Sequence, residues 1–397
     1  RRTAADGTVI YTPDGTASYD GLWLRDFSYM VEYAGFAIPD QDIVNCIRYA
    51  VRHRRADGWM PDRVTTDGLA VYAAGIAAAP VGEANLDNTP FLIFTVDSLS
   101  RRMDPEAFLP LFTEWEAVLE QGLFLLPLDE NGLVYNDVQT PHSPYGFTDT
   151  IGKTGTLYME SLLYWRACRM MERMCKTYGI KNPDRFAKAA ESVERSLSLL
   201  FDPAAGAFYA ATKDCHQYDI WGMAYMLYIG FPCSADEKQA VLSFLEKNYD
   251  ACVYRGQVRH LLKGQYWERL LIDVEPETYQ NGAYWATASG WMIWCLAQQN
   301  PALAVRALED VVSCFKTDGS FECINEGYEK LPLFVVSATN VFGGFERTMI
   351  YSLGIPNIGI ANARMICREY KNDLDKMLAA PTEELAAMDG VGPVIAG

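Results

Sequence analysis

Five segments of the chain combine aromatic side chains with carboxylates, amides or arginine, and these residue types could bind and cleave a sugar. They span residues 23–26, 57–63, 144–150, 278–285 and 321–328. Aromatic rings stack on the apolar C–H face of a pyranose, while fixed polar groups hydrogen bond to its hydroxyls. A single such residue is more often structural. Their recurrence, mostly between predicted helices, favours a carbohydrate pocket.

Two carboxylates in these segments are candidates for acid and base catalysis. Hydrolysis of a glycoside needs one carboxylic acid to protonate the leaving oxygen and one carboxylate to attack or to activate water. Asp149 has apolar neighbours, which raise a carboxyl pKa and suit the acid, whereas Lys153 nearby would lower it. Glu322, in a turn-rich segment, is the candidate base, and Glu326 is its rival.

The elements that must position these residues are helices with recognisable starts. A capping side chain before a proline, or a capping box, marks a helix N-terminus. The predicted starts are Asp104-Pro105, Asn182-Pro183, Asn300-Pro301, Ser234 with Glu237, and the weaker caps Asp40 and Asn357.

Each capped helix follows another apolar helix, so the repeating unit is a helix pair. One stripe comprises Phe186, Ala190, Val193, Leu197 and Leu200, with helical spacing. Six such pairs predict an all-α fold, an (α/α)6 toroid of six helical hairpins. Loops, with room for short strands, would line a pocket at one end.

Composition limits the domain organisation and the partners. The 397 residues are 50% hydrophobic and contain no linker-like tract, which favours one catalytic domain over residues 1–397. The barrel would occupy about residues 21–370, followed by a C-terminal tail at 373–397. The formal charge of -17 disfavours nucleic acid, whose binding depends on clustered Lys and Arg. No apolar run reaches the ~18 residues of a membrane helix, so no membrane partner is expected.

The cysteines and the remaining motifs suggest neither disulfides nor a metal. Ten cysteines stand at irregular spacings, many in apolar helical stretches, which is typical of reduced core residues. We therefore expect a cytoplasmic protein. No metal-ligand constellation is evident, and we expect no cofactor. Gly343 and Gly344 are interpreted as a site of close helix packing.

The chemistry-bearing segments resemble those of the six-hairpin glycosidases, nearest to the processing α-glucosidase, trehalase and glucoamylase-like group. Trp23-Leu24-Arg25-Asp26 is similar to a W-x-R-D motif of glucoamylase-like enzymes, and residues 87–90 are similar to a D-x-T/S-P motif. Asp149 falls where relatives carry a general acid in a loop. Residues 280–285 are similar to their Q-N-G-G-x-W and Y-W-x-G-P loops, and residues 322–325 lie where they have E-N-Y-N. The D-N-S-P form around the acid and the T-G after the base are missing.

The resemblance implies an exo-acting, glucoside-type hydrolase that inverts the anomeric centre. Asp149 would protonate the glycosidic oxygen and Glu322 would deprotonate water. The implied substrate is a small oligosaccharide or glycoside, and no oligomeric state is implied. The residues expected to contact it are Trp23, Arg25, Asp26, Trp59, Lys153, Gln280, Asn281, Tyr284, Trp285 and Glu326.

Three other interpretations remain open from the sequence. The same toroid carries sugar epimerases and uronide-active enzymes, and His142 and His216 in predicted loops would suit an epimerase. A non-catalytic glycan-binding protein would keep the aromatics without needing paired carboxylates. Residues 388–396 resemble the G-V-G-P hairpin of helix-hairpin-helix DNA-binding modules. Their short length and the acidic protein favour coincidence or a truncated tail.

Overall fold

A computed structural model describes residues 1–181 and 183–352, together with positions 369, 380, 381 and 384. Six helices form an inner ring, and most of their residues are buried because they pack on neighbours on all sides. They are α1 (Leu24–Ala34), α3 (Asn88–Ser100), α5 (Tyr158–Tyr178), α7 (Ile220–Tyr228), α10 (Ser289–Gln299) and α12 (Val335–Ser352).

A second layer of helices packs outside this ring. These helices are α2 (Asp40–Arg52), α4 (Pro105–Leu123), α6 (Asp184–Ser196), α8 (Ala235–Lys247) and α11 (Pro301–Thr317), with the one-turn α9 (Tyr249–Cys252) after α8. They are amphipathic: α6, for example, buries only Phe186, Ala190 and Val193. A single apolar stripe is what a helix with one face in water requires.

The inner helices close into a ring. Each packs against the next in the order α1, α3, α5, α7, α10 and α12, and α12 returns to α1. The described residues thus hold five complete hairpins and the first helix of a sixth. The architecture is the predicted (α/α)6 toroid. The cap predicted at Asn357 and the tail at 373–397 lie outside the described residues, apart from positions 380, 381 and 384.

Three of the predicted helix caps are confirmed in detail. Asp104 accepts hydrogen bonds from the first turn of α4, and Asn300 accepts one from Leu303 N (3.1 Å). Ser234 and Glu237 form a capping box at α8. Proline at the first helical position follows both Asp104 and Asn300, where its missing N–H leaves no bond unmade.

Two caps were predicted wrongly by one residue. Asp40 is the first residue of α2 and Pro39 is the cap. The Asp40 carboxylate forms an ion pair with Arg102 (2.6 Å) and caps no backbone N–H of α2. Pro183 is the cap of α6, not its first helical residue, and Asn182 lies outside the described residues.

Short antiparallel strands lie in the connections between helices. The three-stranded sheet comprises β3 (Gly21–Trp23), β4 (Arg63–Thr65) and β5 (Ala70–Val71). The two-stranded pairs are β1 (Arg2–Thr3) with β2 (Val9–Ile10), β6 (Gly75–Ile76) with β7 (Ala79–Pro80), β8 (Tyr135–Asn136) with β9 (Gly155–Thr156), β10 (Phe201–Asp202) with β11 (Ala207–Phe208), β12 (Val253–Tyr254) with β13 (Gln257–Val258), and β14 (Phe321–Asn325) with β15 (Tyr328–Pro332).

The described core contains most of the cysteines and close contacts at two glycines of α12. In the described part of the chain nine cysteines are free, and all but Cys233 are buried. No described helix is long and apolar enough to cross a membrane. The predicted close packing at Gly343 and Gly344 is confirmed: Gly344 lies against Gly290 of α10, and Gly343 against Tyr33 of α1.

Candidate active site

A cavity of about 380 Å³ opens among the loops and contains both proposed catalytic carboxylates. Its aromatic wall is formed by Tyr19, Trp23, Phe147, Tyr279 and Phe334. Its charged residues are Arg25, Asp26, Arg63, Asp149, Asp273 and Glu322. Four of the five segments singled out from the sequence thus meet at one place together with Arg63 from the fifth, although they are distant along the chain.

Asp149 follows the short 3-10 helix Gly146–Thr148, whose backbone turns the carboxylate toward the cavity. Its Oδ1 accepts a hydrogen bond from Gln280 Nε2 (2.8 Å), and its Oδ2 lies 3.9 Å from Arg25 Nη2. Burial raises the pKa of Asp149 to about 7, against the opposing effect of Arg25. Near neutral pH this carboxyl group is therefore able both to hold and to release a proton.

Gln280 fixes the loop that carries Asp149. Its Oε1 accepts hydrogen bonds from the N–H and hydroxyl of Thr150 (2.9 and 2.7 Å), and its Nε2 also donates to Gly146 O (3.2 Å). The side chain is fully buried and does not line the cavity. Gln280 was predicted to contact substrate, but the structure places it behind the acid as a support.

A buried charge network lies beneath Asp149. Arg25, at the N-terminus of α1, donates to Asp62 from both terminal nitrogens (2.6 Å from Nη1), and Nη1 lies 3.8 Å from Asp87 Oδ1. Asp87 in turn accepts a hydrogen bond from Gly146 N (2.8 Å). A Cβ on Gly146 would overlap the Arg25 guanidinium, so only glycine allows this approach. The network connects α1 to the loop that carries Asp149, which is called the acid loop below.

Glu322 stands on another wall, on strand β14 rather than in the turn-rich loop expected from the sequence. Tyr19 donates its hydroxyl to Glu322 Oε1 (2.8 Å), and Lys330 Nζ of the adjacent strand lies 2.6 Å from Oε2. Burial raises the pKa of Glu322, whereas Lys330 and the Tyr19 hydroxyl lower it. The ammonium group favours the ionised form that a base requires.

Asp26 and Trp23 complete the cavity wall at the start of α1. Asp26 is buried, and burial with the nearby Glu322 and Asp62 charges raises its pKa to about 8 in spite of Arg25. Among the described residues, no side chain donates a hydrogen bond to the carboxyl group of Asp26. The indole of Trp23 packs under the Arg63 guanidinium and edge-on to Tyr19. Both residues present polar and aromatic surface to a ligand.

Besides Gln280, six residues predicted to contact substrate do not line this cavity. Lys153 is buried in an ion pair with Glu160 (2.6 Å), and Trp285 is fully buried behind Phe147. The other four are Trp59 beside His142, Asn281 bonded to the backbone of Trp267 and Val274, Tyr284 packed on Ile324, and Glu326 exposed at the β14–β15 turn. Glu326 is exposed to solvent outside the wall, and the other five lie behind it, held by an ion pair, by backbone hydrogen bonds or by packing contacts.

None of the four histidines, all within the described part, lines the cavity. His142 Nδ1 is 3.0 Å from Ala84 O. His260 is buried against Trp221, and burial lowers its pKa. His216 lies in a second, separate surface cleft with Tyr209, Tyr218 and Tyr266. An epimerase that uses histidine as its acid or base therefore finds no such residue here.

The sequence did not identify several residues of the site. Tyr19 and Lys330, the two partners of Glu322, were not predicted, and neither was Asp273 at the cavity mouth. Asp62 lies in the segment 57–63, but no role was predicted for it from the sequence. Pairing along β14–β15 places Lys330 opposite Cys323, and regular strand alternation would put it on the opposite face from Glu322, so the hairpin register alone would not have identified it.

Solved structures of glycosidases share the fold. A rhamnosidase from Klebsiella oxytoca with rhamnose bound superimposes with a TM-score of 0.61 at 12% identity, over 87% of this chain and 60% of the rhamnosidase. A GH63 mannosylglycerate hydrolase from Thermus thermophilus in complex with glucose gives a TM-score of 0.61 at 14% identity. That match covers 84% of this chain and 95% of the hydrolase. At these identities the likeness establishes a shared fold.

The C-terminal residues are similar to a different kind of protein. A helix-hairpin-helix motif model matches residues 348–397. A DNA ligase from Ruminiclostridium cellulolyticum is 46% identical over 48 residues, which are 12% of this chain and 7% of the ligase. The resemblance noted at residues 388–396 is therefore not a coincidence. Most of the matched segment lies outside the described residues.

Proposed function

We propose that this protein is an inverting glycoside hydrolase with Asp149 as general acid and Glu322 as general base. One observation carries the proposal: two carboxylates, Glu322 buried and Asp149 partly buried, line one sugar-sized cavity, and their surroundings suit opposite roles. Asp149 has a pKa raised to about 7 by burial, and Glu322 pairs with an ammonium group. Such a difference between two carboxyl environments is the usual basis for assigning acid and base.

In the proposed reaction Asp149 transfers its proton to the glycosidic oxygen as the bond to the anomeric carbon breaks. Glu322 takes a proton from a water molecule that attacks this carbon from the opposite face, so the configuration inverts. Glu326 is too far out on the hairpin turn to take this role. Arg25 keeps Asp149 oriented from below, and Asp26 is available to accept hydrogen bonds from sugar hydroxyls.

The substrate is proposed to be a small neutral glycoside from which one terminal sugar is released. The cavity volume of about 380 Å³ is near the lower end of ligand pockets, which span roughly 300–1,000 Å³. Trp23, Phe147 and Phe334 offer apolar faces for the ring. The glucose and rhamnose in the two similar structures support a monosaccharide in the pocket, and the resemblance to processing α-glucosidases favours a glucoside.

The proposal includes no cofactor, and it includes a reducing compartment, for which the support is the irregular spacing of the ten cysteines. Nucleic acid is not a proposed partner. Among the described residues, no histidine lines the cavity to support a sugar epimerase of the histidine-dependent kind. A purely glycan-binding role would leave unexplained why two carboxylates are given such different partners.

The test is turnover of α- and β-linked disaccharides and aryl glycosides by wild type, Asp149→Asn and Glu322→Gln. Loss of one acid or base is expected to lower kcat by about 10²–10⁴-fold while binding is retained. Glu326→Gln is the matched control and should behave as wild type. Anomer-resolved proton NMR of the first product should show inversion. Full activity in both variants, or a retained anomer, would contradict the assignment.

A further inference from the structure

The rim of the cavity on the side of the acid carries an exposed carboxylate that the reaction does not use. Asp273 lines the mouth between Ile272 and Val274 and is solvent-exposed. Within the described residues it forms no hydrogen bond or ion pair. Its charge is thus not neutralised by a neighbour.

The backbone beside Asp273 is fixed to the acid loop. The N–H groups of Leu271 and Ile272 both donate to Thr150 O (2.7 and 3.3 Å), next to Asp149. On the other side, Asn281 Nδ2 donates to Val274 O (3.0 Å). The carboxylate of Asp273 therefore has a defined place on the acid's side of the cavity mouth.

That place faces the aglycone if the proposed function holds. A general acid must reach the oxygen between the sugar and its leaving group. The residues that extend from the acid toward solvent then surround the leaving group rather than the sugar in the pocket. Of the described charged residues that line the cavity, Asp273 is the one exposed to solvent.

The cations that line the cavity are not available to offset this charge. Arg25 donates hydrogen bonds to Asp62 from both of its terminal nitrogens. Arg63 donates to Asp62 Oδ2 (2.7 Å) and to Gly75 O (2.6 Å). In the described part of the chain, both arginines of the cavity wall are thus paired with the same buried carboxylate.

We propose that Asp273 selects the aglycone by charge, so that the enzyme accepts uncharged or amine-bearing leaving groups and rejects those with a carboxylate. This inference rests on the proposed function, because it assigns the aglycone side from the role of Asp149. Two like charges at an open cavity mouth repel each other appreciably at low ionic strength, and salt screens the repulsion.

The test compares two aryl glycosides of whichever sugar the enzyme hydrolyses, one with a para hydroxymethyl group and one with a para carboxylate. Their leaving phenols have similar acidity, so the ratio of kcat/KM reports charge recognition. Wild type should prefer the hydroxymethyl compound on the order of tenfold at low salt, and less at high salt. Asp273→Asn should remove most of this preference and Asp273→Lys should reverse it.

Asp250→Asn is the matched control, because it removes one exposed negative charge on α9, outside the cavity wall. It should keep the wild-type ratio. A wild-type ratio near one, or an unchanged ratio in Asp273→Asn, overturns the inference while leaving the hydrolase intact. If no glycoside is turned over, the proposed function fails instead. Binding of the two compounds, followed by tryptophan fluorescence, then decides the charge preference separately.

Discussion

At the scale of single residues, the two proposed catalytic carboxylates differ chiefly in their partners. Glu322 is buried and Asp149 is partly buried, and desolvation raises the pKa of each carboxyl group. Asp149 must be protonated to act, so activity should fall as pH rises through its pKa of about 7. Glu322 must be ionised, so activity should fall at low pH. Burial raises the pKa of Glu322 overall, and Lys330 is the partner that opposes this rise most strongly.

Replacing Lys330 with methionine should therefore move the acidic limb of the pH profile. Without the ammonium group the pKa of Glu322 rises, so the base is protonated at a higher pH. The acidic limb of kcat/KM should shift upward by about 1 pH unit, while the alkaline limb set by Asp149 stays in place. The measurement is kcat/KM as a function of pH on both sides of neutrality, which resolves the acidic and the alkaline limb separately.

Lys330→Arg is the matched control, because it keeps a cation beside Glu322 and should keep the wild-type limb. Thermal unfolding of each variant separates a pH effect from simple destabilisation. An acidic limb that does not move in Lys330→Met would show that Lys330 does not tune the base.

The sequence revealed some site residues because their chemistry is visible without a structure. Arg25, Asp26, Asp149 and Glu322 stand in segments that mix aromatic and charged types, and all four line the cavity. Residues that hold the catalytic loops from behind cannot be distinguished in this way from residues that line the cavity. Gln280 and Trp285 are polar or aromatic in the same segments, yet backbone contacts turn them away from the pocket.

At the scale of elements, helix starts could be predicted and short strands could not. Caps at Asp104, Ser234 and Asn300 depend on local hydrogen bonds, which a few neighbouring residues determine. The β14–β15 hairpin depends on pairing across a turn and on packing under α12. Its position decides that Glu322 faces the cavity and that Glu326 does not, so the sequence left both as candidates for the base.

Helix packing at Gly344 gives a prediction at this scale. A Cβ added there would lie 2.1 Å from the Cα of Gly290, so α10 and α12 must separate to accommodate it. Gly344→Ala should lower the free energy of unfolding by about 1–3 kcal/mol, as overpacked cores do. Denaturant unfolding followed by circular dichroism measures the loss.

Val305→Ala on α11 is the control, because Val305 is exposed and its truncation should change the stability by less than about 0.5 kcal/mol. Equal stability of Gly344→Ala and wild type would mean that the two helices do not approach as closely as described.

At the scale of the whole molecule, the toroid could be inferred because its repeating unit is local. An apolar helix followed by an amphipathic one recurs along the chain, and closure follows when the last inner helix, α12, packs on α1. The pocket could not be located in the same way. It forms from loops of several hairpins, and their relative depth depends on ring geometry that no local pattern encodes.

The C-terminal match to a helix-hairpin-helix motif raises the question of DNA binding, and the charge of the molecule argues against it. Residues 348–397 contain four Lys or Arg against six Asp or Glu, and the whole chain carries -17. Binding to duplex DNA derives most of its non-specific affinity from neutralised phosphates. A segment without a cationic excess, attached to an anionic toroid, lacks this contribution.

We therefore expect the full chain not to bind a labelled duplex of about 25 base pairs at about 150 mM salt and about 10 µM protein, measured by fluorescence anisotropy. Repeating the titration at about 50 mM salt tests for a weak electrostatic contribution, which lower salt would reveal. Saturable binding at the higher salt would contradict the prediction. If it occurs, Gly392→Glu identifies its origin: a hairpin whose backbone N–H groups hold phosphate would lose binding, whereas attachment elsewhere on the molecule would be unaffected.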